Sequence, residues 1–220
     1  IHETGVPTIV VLVGGRPLSV NWIAQNVQAL VQAWEPGSLG GRALANILAG
    51  KVNPSAKLPI SIPRHSGQIQ MIYNHKPSQY FHKYIDGPST PLYPFGFGLS
   101  YTRFAYSSLK LSHTRISDKD SFTASIELTN VGDREGTEVV QLYIRDIYSS
   151  ATRPVKELKD FARVTLKPGE KKTVTFTVTP DKLAYWNRNM QYGVEKGEFE
   201  IMIGSSSQDK DLKKVKMEVL

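Results

Sequence analysis

The sequence predicts a chain in two parts, a short α/β piece followed by an all-β sandwich. Three observations predict it. Residues 6–63 alternate short apolar runs with a helix-spaced segment. Residues 104–220 repeat period-two alternation of apolar and polar positions. Between them, residues 64–103 are dense in aromatics, Pro and Gly, which opposes regular elements.

Taken in order, Thr8, Ile9, Val10, Val11, Leu12 and Val13 form a continuous run, as a strand covered on both faces does. Gly14 and Gly15 end it. Pro17 and Ser19 suit a helix start, and 20–25 reads as a short helix. The Val, Leu and Trp content of 27–34, stopped by Pro36-Gly37, favours a strand. Residues 40–50 read as a helix with Ala43, Leu44, Ile47 and Leu48 on one face. Asn53-Pro54 turns, and 58–62 reads as another short strand. The order is βαβαβ, hence α/β layering over residues 1–63.

Such a piece buries too little surface to be comfortable alone. An exposed apolar patch or a non-native oligomer is therefore expected from residues 6–63. The chain starts at Ile1-His2-Glu3-Thr4 and reaches a buried strand almost at once. It reads as beginning inside a domain, with any signal peptide upstream. Residues 64–103 read as an ordered aromatic strap packed on its neighbours.

In residues 104–220, Phe122, Ala124, Ile126 and Leu128 alternate with polar residues, as do Val174, Phe176 and Val178, then Phe199, Ile201 and Ile203. One apolar face per strand marks antiparallel sheets packed face to face. Turns at Asn130-Val131-Gly132-Asp133, Lys167-Pro168-Gly169-Glu170 and Glu195-Lys196-Gly197 separate the runs. Some seven strands fit an immunoglobulin-like or fibronectin type III-like sandwich, and the absence of Cys excludes the antibody type.

The formal charge of +7 raises nucleic-acid binding, but its distribution opposes it. Residues 1–103 hold 8 Lys/Arg against 3 Asp/Glu, and residues 104–220 hold 19 against 17, so acids are scarce rather than bases clustered. No apolar run approaches the ~20 residues of a membrane span.

Ala33-Trp34-Glu35-Pro36-Gly37-Ser38-Leu39-Gly40-Gly41, Ala45-Asn46-Ile47-Leu48-Ala49-Gly50 and Asn53-Pro54-Ser55-Ala56-Lys57-Leu58-Pro59 together resemble the second domain of glycoside hydrolase family 3. Tyr93-Pro94-Phe95-Gly96-Phe97-Gly98-Leu99-Ser100-Tyr101-Thr102-Arg103-Phe104 is similar to the family's passage into its C-terminal sandwich. The segments at 129–136, 153–161 and 166–170 are similar to that sandwich. Gly67-Gln68-Ile69 with Tyr73-Asn74-His75 resembles the periplasmic β-glucosidase branch.

The resemblance implies a C-terminal part of an exo-acting, retaining hydrolase of terminal β-D-glucosyl residues, periplasmic or secreted. It implies an Asp nucleophile on a barrel domain and a Glu acid/base on an upstream loop. Neither motif occurs here, so no catalytic residue is assigned to this chain. The implied substrate is a β-glucoside or oligosaccharide, and no cofactor is implied.

The residues themselves offer few alternatives. Retaining hydrolysis needs two carboxylates ~5–5.5 Å apart. Residues 1–103 contain only Glu3, Glu35 and Asp86. Glu35 and Asp86 both read as turn residues. His65, His75 and His82 match no tight metal spacing, so no metal site is assigned. Gly14-Gly15 lacks the phosphate-loop patterns. The substrate-proximal candidates are Tyr80 and Tyr84 with Lys83, because aromatic faces stack on pyranose C–H faces. Packing between domains is the competing reading of those aromatics. For the whole chain, a non-catalytic carbohydrate-binding or adhesive module competes with a scaffold serving catalytic domains.

Overall fold

A computed structural model of the chain describes residues 1–68, 71–77, 84, 85 and 87–220. The α/β piece consists of β1 (Ile9–Val13), α1 (Asn21–Asn26), β2 (Ala29–Trp34) and α2 (Gly40–Leu48). β1 and β2 pair in parallel, Val11 opposite Val31. The β-branched run favours the strand, and the parallel pairing requires the α1 crossover. α2 ends in a Schellman motif. Gly50 takes φ 69, its N–H donates to Ile47 O, and Lys51 N–H donates to Asn46 O.

The expected strand over 58–62 does not join this sheet. Pro59 and Pro63 remove backbone donors, which a central strand cannot spare. The segment pairs irregularly with the strap instead. Leu58 N–H donates to Phe97 O, Ile62 N–H to Tyr93 O and Gly96 N–H to Leu58 O. The only bridge of strand type there joins Ile62 to Tyr93, among the described residues.

No residue of β1 or β2 is buried. Val6, Ile9, Val13, Leu18, Trp22 and Leu39 are exposed. A two-stranded sheet without a buried residue is not stable by itself. The apolar exposure expected over residues 6–63 is thus present.

The sandwich has two sheets. One is five-stranded: β5 (Arg115–Ile116), β13 (Leu212–Val219), β12 (Gly197–Gly204), β7 (Gly136–Asp146) and β8 (Glu157–Leu166), in that order. In the other, β9 (Lys171–Val178) pairs along one edge of β6 (Phe122–Asn130). β3 (Phe104–Tyr106) and β4 (Lys110–Leu111) pair with β6 in succession. The sandwich also carries α3 (Pro180–Leu183) and the small hairpin of β10 (Tyr185–Trp186) and β11 (Tyr192–Gly193).

Period two places the core. Ile126 and Leu128 from one sheet meet Val140, Leu142, Ile201 and Ile203 from the other, and all six are at most 1% exposed. Each such side chain contributes roughly 1.5–3 kcal/mol of burial.

Asn130 ties the end of β6 to everything near it. Its side chain donates to Arg134 O at 2.7 Å and Leu166 O at 2.9 Å. It accepts from Thr102 Oγ1 at 2.6 Å and Gly132 N–H at 3.1 Å. The α/β piece is held by a similar node. Asn53 accepts from Ser100 Oγ and Tyr101 N–H, and donates to Glu135 O. Lys57 and Glu138 form a largely buried ion pair at 2.8 Å.

At the far end of β7, Asp146 Oδ2 is buried 3.9 Å from Arg153 Nη1, and Arg153 is engaged by Glu157 at 2.5 Å. Loss of hydration pushes the Asp146 carboxyl up to about 6 from an ordinary 3.8, despite the opposing Arg153 charge. The folded chain therefore binds this proton more tightly than the unfolded chain. Ionising Asp146 lowers stability, and the loss develops between pH 3.8 and about pH 6. Asp146→Asn is expected to gain about 3 kcal/mol over the natural chain above this window relative to below it. Urea unfolding at both pH values checks this. An equal difference on both sides contradicts it.

A candidate binding cleft between the strap and the sandwich

The inner face of β7 fills the core, so period two turns Gln141, Tyr143 and Arg145 outward. In register beside them, Tyr143 pairs with Met202 and Met202 with Lys214, while Glu200 lies between Arg145 and Lys216. The strap covers part of this face. Tyr73 stacks on Phe95 at 4.1 Å and 16° and meets Tyr143 edge-on at 5.9 Å. Tyr143, Met202 and Leu212 form a second small core with Tyr73, Phe95 and Leu158 packed against it.

Hydrogen bonds fix the docking. Gln141 Nε2 donates to Gly96 O at 3.1 Å and Ser205 O at 2.7 Å, and Tyr143 Oη donates to Gln141 Oε1. Leu158 N–H donates to Tyr73 Oη, Val155 N–H to His75 O and Ser207 N–H to Phe95 O. Burial raises the Tyr73 and Tyr143 hydroxyls above the ordinary tyrosine value, so both stay neutral donors.

Where the strap leaves the sheet uncovered, a cleft of ≈ 1170 Å³ opens. Tyr73, Tyr84, Tyr93 and Phe97 supply aromatic surface, with Tyr93 and Phe97 stacked at 5.3 Å. Arg145, Lys156, Glu200, Asp209 and Lys214 line the sandwich side. Lys156 is buried and donates to Ser207 O and, at 2.6 Å, to Asp209 Oδ1. Lys214 also reaches Asp209, at 3.1 Å, and Glu200, at 4.0 Å. Burial opposes ionisation of Asp209, but hydrogen bonds from Lys156 and Lys214 prevail and hold its carboxyl below the usual range. It is therefore a fixed anion and a poor general acid.

Of the substrate-proximal candidates, Tyr84 borders this cleft, edge-on to His65 at 5.3 Å. Tyr80 and Lys83 lie outside the described residues, as do His82 and Asp86. No group of three or more potential metal ligands occurs among the described residues. Glu3 sits in a one-turn 3-10 helix near the start of the chain. Glu35 follows β2 at the carboxyl end of the parallel pair, and a Cβ on Gly15 would stand 3.1 Å from its Oε1. The turns after β1 and β2 thus come together at the edge where α/β sheets bind ligands. Trp34, just before Glu35, takes φ 54, and the β1–β2 register shifts beside it. Such backbone is uncommon for a bulky residue and costs on the order of 1–3 kcal/mol.

Residues 1–101 match the glycosyl hydrolase family 3 C-terminal domain, and residues 138–207 match a fibronectin type III-like domain. The chain belongs to glycosyl hydrolase family 3.

It is 45% identical to a periplasmic beta-glucosidase of Salmonella typhimurium, a match covering 94% of this chain and 28% of that protein. It is 47% identical to a beta-xylosidase of Formosa agariphila, over 100% of this chain and 31% of the relative. The crystal structure of a beta-glucosidase from Listeria innocua in complex with glucose superposes with a TM-score of 0.92 at 37% identity, covering 99% of this chain and 31% of that one. The chain thus spans 28–31% of the length of these three proteins.

Proposed function

We propose that this chain is the non-catalytic C-terminal part of an exo-acting, retaining β-glucosidase, which acts on terminal β-D-glucosyl residues in the periplasm or outside the cell. The observation that carries this reading is the contrast between its two parts. The sandwich has a complete core, while no residue of the β1–β2 sheet attached to it is buried. This half-buried sheet is the part that other segments of the enzyme would complete. The sandwich, braced through Asn53, Lys57 and Asn130, would hold it in place.

The cleft chemistry agrees with a supporting role. Asp209 and Glu200 are both neutralised by lysines, and Asp209 is held ionised. Asp209 therefore lacks the raised value a general acid needs. Relatives named for glucosidase and xylosidase activity share these segments, which supports a role independent of the sugar. We assign residues 1–63, 64–103 and 104–220 to the α/β part, the strap and the sandwich. Tyr84, with Tyr80 and Lys83, is the part of the strap we place nearest the substrate. The periplasmic assignment is supported by the name of the Salmonella relative.

Assayed alone, the chain is expected to leave an aryl β-glucoside intact. Turnover by the purified 220 residues at a glycosidase's rate contradicts the reading.

A further inference from the structure

We propose that the cleft between the strap and the sandwich binds an anionic saccharide, a sugar ring bearing a carboxylate or a sulfate ester. This deepens the reading above, which it needs only for the choice of a sugar. Three features of the cleft carry it.

The first is charge. Arg64, Lys76, Arg145, Lys156, Lys210 and Lys214 line the cleft, six cations against the two acids Asp209 and Glu200. Those acids are taken up internally, by Lys156 and Lys214. Lys76, Arg145 and Lys210 make no ion pair among the described residues. Elsewhere on the chain acids and bases nearly balance, so this excess is local.

The second is a built donor. Lys156 is 8% exposed, and its ammonium has three N–H groups. Two go to Ser207 O and Asp209 Oδ1. Packing and these bonds fix the amine, and one N–H is left for an acceptor. Its position costs little further ordering when a ligand arrives.

The third is the aromatic wall. The paired Tyr93 and Phe97 rings line the same cleft as the basic side chains, together with Tyr73 and Tyr84. A pyranose offers C–H groups to such faces, and its charged substituent offers acceptors to the cations. A neutral sugar would use the wall alone. A small inorganic anion would use the cations alone. The combination fits a charged sugar. Single-stranded nucleic acid also combines stacking with charge, and the family to which the chain belongs favours the saccharide.

The test is calorimetric titration of the 220-residue chain at low salt with a glucuronate trisaccharide, a sulfated glucose trisaccharide, neutral cellotriose and a thymidine oligonucleotide. At least one anionic sugar is expected to bind about tenfold or more tightly than cellotriose, with the advantage lost in high salt. Arg145→Gln combined with Lys210→Gln is expected to remove most of that advantage while the unfolding midpoint stays unchanged. Lys76→Gln, on the strap, should weaken binding severalfold and guards against a folding defect in the pair. Equal binding of charged and neutral sugars, no binding of any sugar, or tighter binding of the oligonucleotide overturns the proposal. So does an anionic preference that survives all three substitutions. None of these outcomes bears on turnover, so the glucosidase reading stands or falls separately.

Discussion

Asn130→Ala is expected to destabilise the sandwich by about 3–4 kcal/mol, among the largest effects a single substitution has here. Asn130 is completely buried, and its amide makes four hydrogen bonds. Alanine leaves the carbonyls of Arg134 and Leu166, the Thr102 hydroxyl and the Gly132 N–H without that partner. Each buried group left unsatisfied costs about 1–3 kcal/mol. Water reaches the exposed Val131–Arg134 side of the turn, which keeps the total below the simple sum. Three parts of the chain loosen together: the strap at Thr102, the turn after β6 and the end of β8. Urea denaturation followed by far-ultraviolet dichroism measures the loss. A change below about 1 kcal/mol contradicts the role given to this residue.

Gly96→Ala is expected to release the strap while the sandwich stays folded. Gly96 takes φ 78, where a Cβ costs roughly 1–2 kcal/mol. That Cβ would also overlap the Gln141 side-chain amide. Gln141 cannot swing away freely, because it bonds Gly96 O, Ser205 O and Tyr143 Oη. Strain and collision together favour undocking by about 3 kcal/mol. Limited proteolysis should then cut within residues 64–103 at least tenfold faster, with the sheet signal unchanged. An unaltered cleavage rate contradicts the docking scheme.

The two substitutions also mark what the sequence made legible. The interior of the sandwich was readable, because Phe122, Ala124, Ile126 and Leu128 obey period two and one face of each strand has a single destination. α2 was readable from Leu44 and Ile47, with its stop at Gly50. The segment at 58–62 was misjudged as a strand of the α/β sheet. Its apolar residues looked like a strand, while Pro59 and Pro63 sent its remaining donors to the strap. Asn130 was visible only as a turn residue. Its four bonds depend on the ends of β6 and β8 meeting, which local pattern does not encode.

The cleft was less legible than the fold. Tyr84 was singled out because aromatic density in the strap is a local signal, and it borders the cleft. Arg145, Lys156 and Lys214 were not found, because they come from separate segments and meet only through strand register. Tyr143 and Met202 break the polar expectation for an outward face. Their presence on neighbouring strands is a local hint that a second layer covers that sheet.

The central claim is that the chain supports catalysis carried by other segments. It is tested most directly by aglycone release from an aryl β-glucoside, measured for the purified chain alone and joined to the rest of the proposed glycosidase. The account predicts no turnover above the uncatalysed rate from the chain alone, and full turnover from the joined protein. Turnover by the chain alone, or unimpaired turnover by the remainder without it, would contradict the account.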